Sequence, residues 1–242
     1  MIYESATPVT AQRHRDWSVK AGTRYGFARQ LTAVPLMTTE FAAVAQELPI
    51  VFAGDEKLTP AAITGLRRGE NLMVGPDDAW RGRYVPAFLR QYPFVLARKE
   101  DETLTLCIDE AFEGANTKGR GERLFDAEGE RTAYLTRVLD FATLYQRDHR
   151  TSGVFCDKLR ALDLLETMNA RIAAPAGPMT VQGFQAVSRE RLRALPPETL
   201  AELMETGALE LIYAHLLSLK AFDRLAEQVP SAAPQAAEPA DA

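Results

Sequence analysis

Leu104, Leu106 and Ile108 alternate with Thr105, Cys107 and Asp109, the period of a strand with one face buried. Just upstream, Phe94-Val95-Leu96-Ala97 is a second short apolar run, joined to the first by Arg98-Lys99-Glu100-Asp101-Glu102. A link that short and that charged permits only an antiparallel return, since a parallel crossover requires a dozen residues or more. One hairpin is thereby set, and with it a sheet that something must cover.

The remaining text alternates strand-like and helical segments. Residues 25–31 suggest a strand, ended by Pro35. Thr38 or Thr39 caps a short helix over 40–47, with Glu40 at the positive end of its dipole. Pro49-Ile50-Val51-Phe52 is a compact buried strand, and residues 61–66 and 71–74 read as hairpin arms around Arg68-Gly69. Gly75-Pro76-Asp77-Asp78 is a turn, and residues 84–90 suit a short helix that tolerates Pro86 only in its first turn. A Gly-rich polar loop follows at 116–121. Tyr134, Leu135, Val138, Phe141, Ala142 and Tyr145 keep helical spacing, as do Phe155, Leu159, Leu162, Leu165 and Met168, which predicts two amphipathic helices. Residues 179–187 are extended and 190–228 helical, with Pro196-Pro197 starting one helix and Gly207 capping it.

The prediction is a single α+β domain over residues 24–228. Its mostly antiparallel sheet is built from the early strands and the hairpin at 93–110, covered by the helices of 132–168 and 197–228. A flexible N-terminal arm (1–23) precedes it, and a disordered tail rich in Ala, Pro and acid (229–242) follows.

Charge narrows the function classes. The chain has 28 basic and 33 acidic residues, net −5, and no basic run longer than two, so nucleic acid is not an expected partner. Cys107 and Cys156 form neither a CxxC pair nor a zinc framework and sit in apolar text, where a reduced thiol acts as a small hydrophobe. The N-terminus lacks the apolar region of a secretory signal, and no run reaches the roughly 18–20 apolar residues of a membrane helix. A cytoplasmic protein is expected.

No catalytic motif is legible. His14 falls in the arm, His149 in Arg147-Asp148-His149-Arg150 at a helix end, and His215 among Leu211, Ile212, Leu216 and Leu219, where a core-edge histidine with one partner is the ordinary reading. No HxxxH, HExxH, phosphate loop or GxSxG setting is present, so neither a metal nor a cofactor is expected. Asp109 and Glu110 are adjacent on a strand and point to opposite faces. What stands out is aromatic and guanidinium density: Trp80, Tyr84, Phe88, Arg90, Tyr92 and Phe94. Either these are core, with Arg90 paired to Asp109 or Glu110, or they form a face that binds another protein. A rival reading builds a small-molecule or enzyme site from Arg67, Glu70, Arg90 and Asp109.

The order of several short motifs resembles the bacterial SapC-like family. They are Glu40-Phe41, Pro49-Ile50-Val51-Phe52, Gly65-Leu66-Arg67 with Gly69-Glu70-Asn71-Leu72, Tyr84-Val85-Pro86-Ala87, and Arg90 with Tyr92-Pro93-Phe94. The order continues through Leu106-Cys107-Ile108-Asp109-Glu110, Leu124-Phe125, and Ile212-Tyr213-Ala214-His215-Leu216 with Ser218-Leu219. Gln91 departs from the pattern, where a second Arg is common. The resemblance runs from about Phe27 to Leu225. It implies an accessory protein linked to surface-layer biogenesis, or to the halogenase-like flavoproteins encoded beside some members, rather than an enzyme of recognisable class. The peptide-transporter permease of the same label is a different protein, because this chain has no membrane span. The candidate binding surface is Arg67, Glu70, Asn71, Trp80, Tyr84, Arg90, Tyr92, Asp109, Glu110 and His215.

Overall fold

The structure, a computed structural model, describes residues 2–229 other than 21, 23, 55, 56, 99–102 and 176. The chain opens with β1 (Ala6–Pro8), α1 (Ala11–His14), β2 (Ser18–Val19), β3 (Ala33–Pro35), α2 (Phe41–Val44), β4 (Ile50–Ala53) and β5 (Thr59–Ile63). Next come α3 (Ala87–Arg90), β6 (Phe94–Arg98), β7 (Leu104–Asp109), β8 (Ala115–Asn116), β9 (Glu122–Arg123) and α4 (Ala133–Ala161). A long hairpin, β10 (Leu165–Ala174) and β11 (Gly177–Val187), leads into α5 (Arg189–Arg193), α6 (Pro197–Glu205), α7 (Ala208–Ser218) and α8 (Ala221–Glu227).

The expected α+β class with antiparallel pairing holds. Phe94 faces Ile108 and Arg98 faces Leu104 in the β6–β7 hairpin. The strands nevertheless divide into three sheets, β1-β7-β6, β10-β11-β4-β5-β3 and β8-β2-β9, so β3, β4 and β5 do not share a sheet with the hairpin. The arm expected at 1–23 is not free. An unpaired strand edge is a row of unsatisfied donors and acceptors, and β1 fills the open edge of β7, with Ala6 opposite Asp109 and Pro8 opposite Cys107. β2 is the central strand of the third sheet, and His14 between them is fully buried. The predicted tail from residue 230 onward lies outside the described residues.

Three local expectations are corrected. Residues 25–31 hold a 3-10 turn, Gly26–Ala28, with the strand displaced to β3. The helix expected over 40–47 shortens to a 3-10 turn, Thr38–Glu40, continued by α2. Residues 61–66 and 71–74 share a backbone bond, Leu72 N–H to Thr64 C=O at 2.8 Å, but form no strand hairpin, because β5 already has β4 on one side and β3 on the other.

The two helices expected across 132–168 are one 29-residue helix, α4, followed by a strand; His149 sits inside it rather than at an end. Thr132 caps its start, accepting from Leu135 N–H at 3.3 Å. Its end is a Schellman closure. Leu164 N–H reaches Leu159 C=O at 3.0 Å and Asp163 N–H reaches Arg160 C=O at 3.0 Å, with Asp163 at φ 50°. Leu159 and Leu164, both fully buried, make the apolar contact that accompanies this motif. Aspartate stands where glycine would have announced the stop, and its carboxylate accepts from Arg191 Nη1 at 2.8 Å. Beyond it, Leu165 and Met168 keep helical spacing by coincidence and belong to β10.

At about 1.5 Å per residue α4 is roughly 43 Å long, and it joins two cores. Leu135 packs with Val19, Phe94, Ile108, Leu124 and Phe125 between the first and third sheets. Phe155, Cys156 and Leu159 pack into the larger core between the five-stranded sheet and α2, α7 and α8. Both thiols are buried, as expected; burial raises the Cys156 thiol to about 12. Gly153 lies in the interior of this helix with open space where a Cβ would project. Gly153→Ala is therefore expected to raise stability by about 0.5–1 kcal/mol, read as a higher urea midpoint at unchanged slope.

Candidate functional site

The middle of α4 crosses the seam between those two cores. Met37, Ala87 and Tyr145 form a small buried cluster there, with Phe88 and Phe141 packed against it. Glu40 sets the geometry. Its carboxylate is 4% exposed and accepts from Met37 N–H at 2.9 Å, Ala87 N–H at 2.7 Å and the Tyr84 hydroxyl at 3.0 Å. One acid thus ties the start of α2 to the start of α3, offering charge-assisted bonds where Pro86 precedes the first helical N–H groups. Burial first, then the neighbouring Glu40 charge, hold the Tyr84 hydroxyl above the ordinary phenol range.

Tyr84 in turn accepts from Arg90 Nη2 at 3.0 Å, and Arg90 Nε donates to Val85 C=O at 3.0 Å. The guanidinium lies 5.4 Å from the Tyr84 ring centre and 5.1 Å from that of Phe141, within cation–π range of both. It is exposed, and among the described residues no carboxylate pairs with it. Two concavities meet at Arg90 and Phe141, which line both. One, of about 340 Å³, has Glu40, Tyr84, Leu144 and Tyr145 in its walls; the other, of about 210 Å³, has Tyr92, Phe94, Tyr134, Arg137 and Val138. Together they follow one face of α4 from Tyr134 to Asp148, a groove of roughly 21 Å at the helical rise.

The predicted site residues separate. Tyr84 and Arg90 form this groove, and Tyr92 borders it. Trp80 supports it from behind, its indole N–H donating to Tyr84 C=O at 2.8 Å. Asn71 is buried and braces a turn, its side chain donating to Ala28 C=O at 2.9 Å and accepting from Met73 N–H at 3.0 Å. Arg67 is exposed, and its C=O accepts from Glu70 N–H at 3.2 Å. Arg90 pairs with neither Asp109 nor Glu110, contrary to the expectation. Asp109, fully buried, accepts from the N–H groups of Glu4, Ser5 and Ala111 and from the Tyr92 hydroxyl, at 2.9–3.2 Å. Glu110 is held below the ordinary carboxylate range by a bidentate bond from Arg13 at 2.5 and 2.7 Å, aided by His14 at 3.1 Å. The polar site read from Arg67, Glu70, Arg90 and Asp109 thus loses its central pair. The N-terminal segment, read from the sequence as a free arm, supplies two of the four donors to Asp109 and the Arg13 and His14 partners of Glu110.

His215 is a structural clamp. Ile50 sits opposite Ala62, one residue past the bond from Ile63 N–H to Pro49 C=O, so its own polar groups turn away from β5. On that side β4 meets β11 only at Phe52 and Gln185. His215 Nδ1–H donates to Ile50 C=O at 2.8 Å and Nε2 accepts from Val187 N–H at 3.0 Å, while Ser218 Oγ accepts from Ile50 N–H at 2.8 Å. These bonds assign the neutral imidazole, and burial depresses its pKa to about 4. Buried and fully bonded, His215 is no part of a binding surface.

Glu40, Phe141 and Arg137 are not among the site residues expected from the sequence. Glu40 reads as a helix-dipole acid, and Phe141 as one more core position on an amphipathic helix. Among the described residues no group of three or more His, Cys, Asp or Glu is placed to hold a metal ion, and no helix is long and apolar enough to cross a membrane.

The chain matches the SapC family over residues 9–225. It belongs to the SapC family. No curated protein and no solved structure matches it. The span matched to SapC takes in the Arg90 groove, the His215 clamp and Asp109, but not the Glu4 and Ser5 donors of Asp109.

Proposed function

We propose that this SapC-family chain is a non-catalytic, cytoplasmic accessory protein that binds another protein through the Arg90 groove. The observation that carries the reading is Arg90 itself: an exposed guanidinium, held between two aromatic rings and unmatched by any described carboxylate, over apolar concavities on either side. The acids nearby are engaged elsewhere, Glu40 on two backbone N–H groups and Tyr84, and Asp148 on Thr39 at 3.1 Å. Arg137, also exposed, adds a second positive charge along the same face. The complementary occupant is a short apolar segment of a partner protein bearing a carboxylate. At about 3.3 Å per residue, a 21 Å groove seats roughly six extended residues. Tyr and Arg are the side chains that most often anchor such interfaces. Partners of the surface-layer or halogenase-like kind implied by the resemblance are the first to search for such a segment.

The test is selection of a random peptide display library on the immobilised chain and on Arg90→Gln. The expected result is enrichment of apolar peptides with a central Asp or Glu, bound at least about tenfold more weakly by Arg90→Gln. The variant should lose no more than about 1 kcal/mol of stability, since the side chain is exposed and makes only two hydrogen bonds. No enrichment, or winning peptides indifferent to Arg90, would remove the groove from the reading.

A further inference from the structure

A second constellation lies on the other side of the loop that carries Tyr84. Arg81 and Arg83 flank Gly82 on that loop, Arg224 reaches in from α8, and the three line a solvent-open cavity of about 520 Å³ together with Gln46, Glu47 and Gln228. The loop is pinned at three points. Arg81 N–H donates to Met73 C=O at 2.8 Å, Trp80 Nε1–H to Tyr84 C=O at 2.8 Å, and Arg83 N–H to both Glu47 oxygens at 3.0 and 2.8 Å. Gly82 is required for this closure: a Cβ there would stand 2.5 Å from Glu47 Oε2 and 2.8 Å from the Trp80 indole nitrogen.

The pinning leaves most of the positive charge unspent. Among the described lining residues Glu47 is the one carboxylate, and it bonds only the backbone N–H of Arg83, so three guanidinium groups face a single negative charge. Arg81 and Arg224 each donate one bond to a backbone carbonyl, Leu72 at 3.2 Å and Gln46 at 2.7 Å, which orients the guanidinium without neutralising it. Among the described residues none of the three arginines forms an ion pair, although acids outnumber bases in the chain by 33 to 28. Three exposed arginines lining a cavity of small-molecule size supply the forked donors that recognise an oxyanion with several acceptor oxygens. Gln46, whose amide donates to Ala42 C=O at 3.4 Å, and Gln228 complete the polar lining.

We infer that this arginine basin is a binding site for a phosphorylated small molecule, its phosphoryl group held by Arg81, Arg83 and Arg224. The site is separate from the Arg90 groove and stands whether or not the groove binds a protein.

The experiment is isothermal titration of the full chain with pyrophosphate, glucose 6-phosphate and succinate at fixed ionic strength. The expected result is saturable binding of both phosphorylated probes, with pyrophosphate at a Kd of about 1 mM or tighter and succinate at least about tenfold weaker. Arg83→Gln, whose side chain makes no bond within the described structure, and Arg224→Gln should each weaken pyrophosphate several-fold. Arg68→Gln, an exposed arginine outside the cavity, should leave it unchanged. Circular dichroism confirms that each variant is folded before titration, and Arg83→Gln serves alone where Arg224→Gln is not. Absence of saturable heat from both phosphorylated probes, succinate binding as well as they do, or equal weakening by Arg68→Gln would each overturn the assignment.

Discussion

Asp109→Ala is expected to destabilise the protein by about 3–4 kcal/mol, the size reached when a buried charged acceptor is removed from several donors at once. Asp109 is fully buried and accepts four hydrogen bonds, two of them from Glu4 and Ser5 at the beginning of the chain. Alanine would leave those two N–H groups, that of Ala111 and the Tyr92 hydroxyl without their acceptor, and would release the edge strand β1 from the end of β7. Asp109→Asn keeps one oxygen and should cost less than alanine. Urea denaturation measures the loss, and hydrogen exchange locates it: protection should fall first at the N–H groups of Val9 and Glu110, which bond across this edge to Leu106 and Ser5 C=O. Equal stability of Asp109→Ala and the unaltered chain would mean that the junction is not the tether described.

His215→Ala is expected to cost a similar amount, about 3–4 kcal/mol, because it combines a buried cavity with two orphaned backbone groups between β4 and β11. The same residue gives the protein a pH dependence whose sign follows from its depressed pKa of about 4. Above pH ~6.5 the imidazole is neutral in the folded and unfolded chains, and the clamp contributes in full. Between about 6.5 and 4 the unfolded chain takes up a proton that the folded chain refuses, so stability falls as pH falls. Below about 4 both are protonated and this contribution has ended. The span corresponds to about 3 kcal/mol. It is read as the difference between the stability curves of the unaltered chain and His215→Gln over pH 4–7. Parallel curves would show that His215 is not buried in its neutral form.

What the sequence disclosed depended on whether the deciding interaction was local. The β6–β7 hairpin was legible because alternation, a short charged link and apolar arms all lie within residues 94–109. The stop of α4 was not, because Asp163 takes the left-handed conformation that glycine would have advertised. Periodicity alone therefore carried the predicted helix into β10. The N-terminal segment reads as polar and featureless, and what orders it is distant: the open edge of β7 and the carboxylates of Asp109 and Glu110. The candidate site divides in the same way. Tyr84 and Arg90 were visible as a dense aromatic and basic stretch. Their relation to Glu40, more than forty residues upstream, exists only once α2 and α3 are packed against α4. The opposite error was made with Asp109, whose place at a strand end made it look available to Arg90 when four closer donors had taken it.

The groove is tested most directly by reversing its charge. A fluorescent peptide selected on the unaltered chain, with a central glutamate, is titrated against the unaltered chain and Arg90→Glu, and again with its glutamate replaced by lysine. The glutamate peptide should bind the unaltered chain and lose at least about tenfold on Arg90→Glu, while the lysine peptide shows the opposite preference. If both peptides bind both proteins alike, Arg90 does not read a partner's charge and the groove is not the binding site.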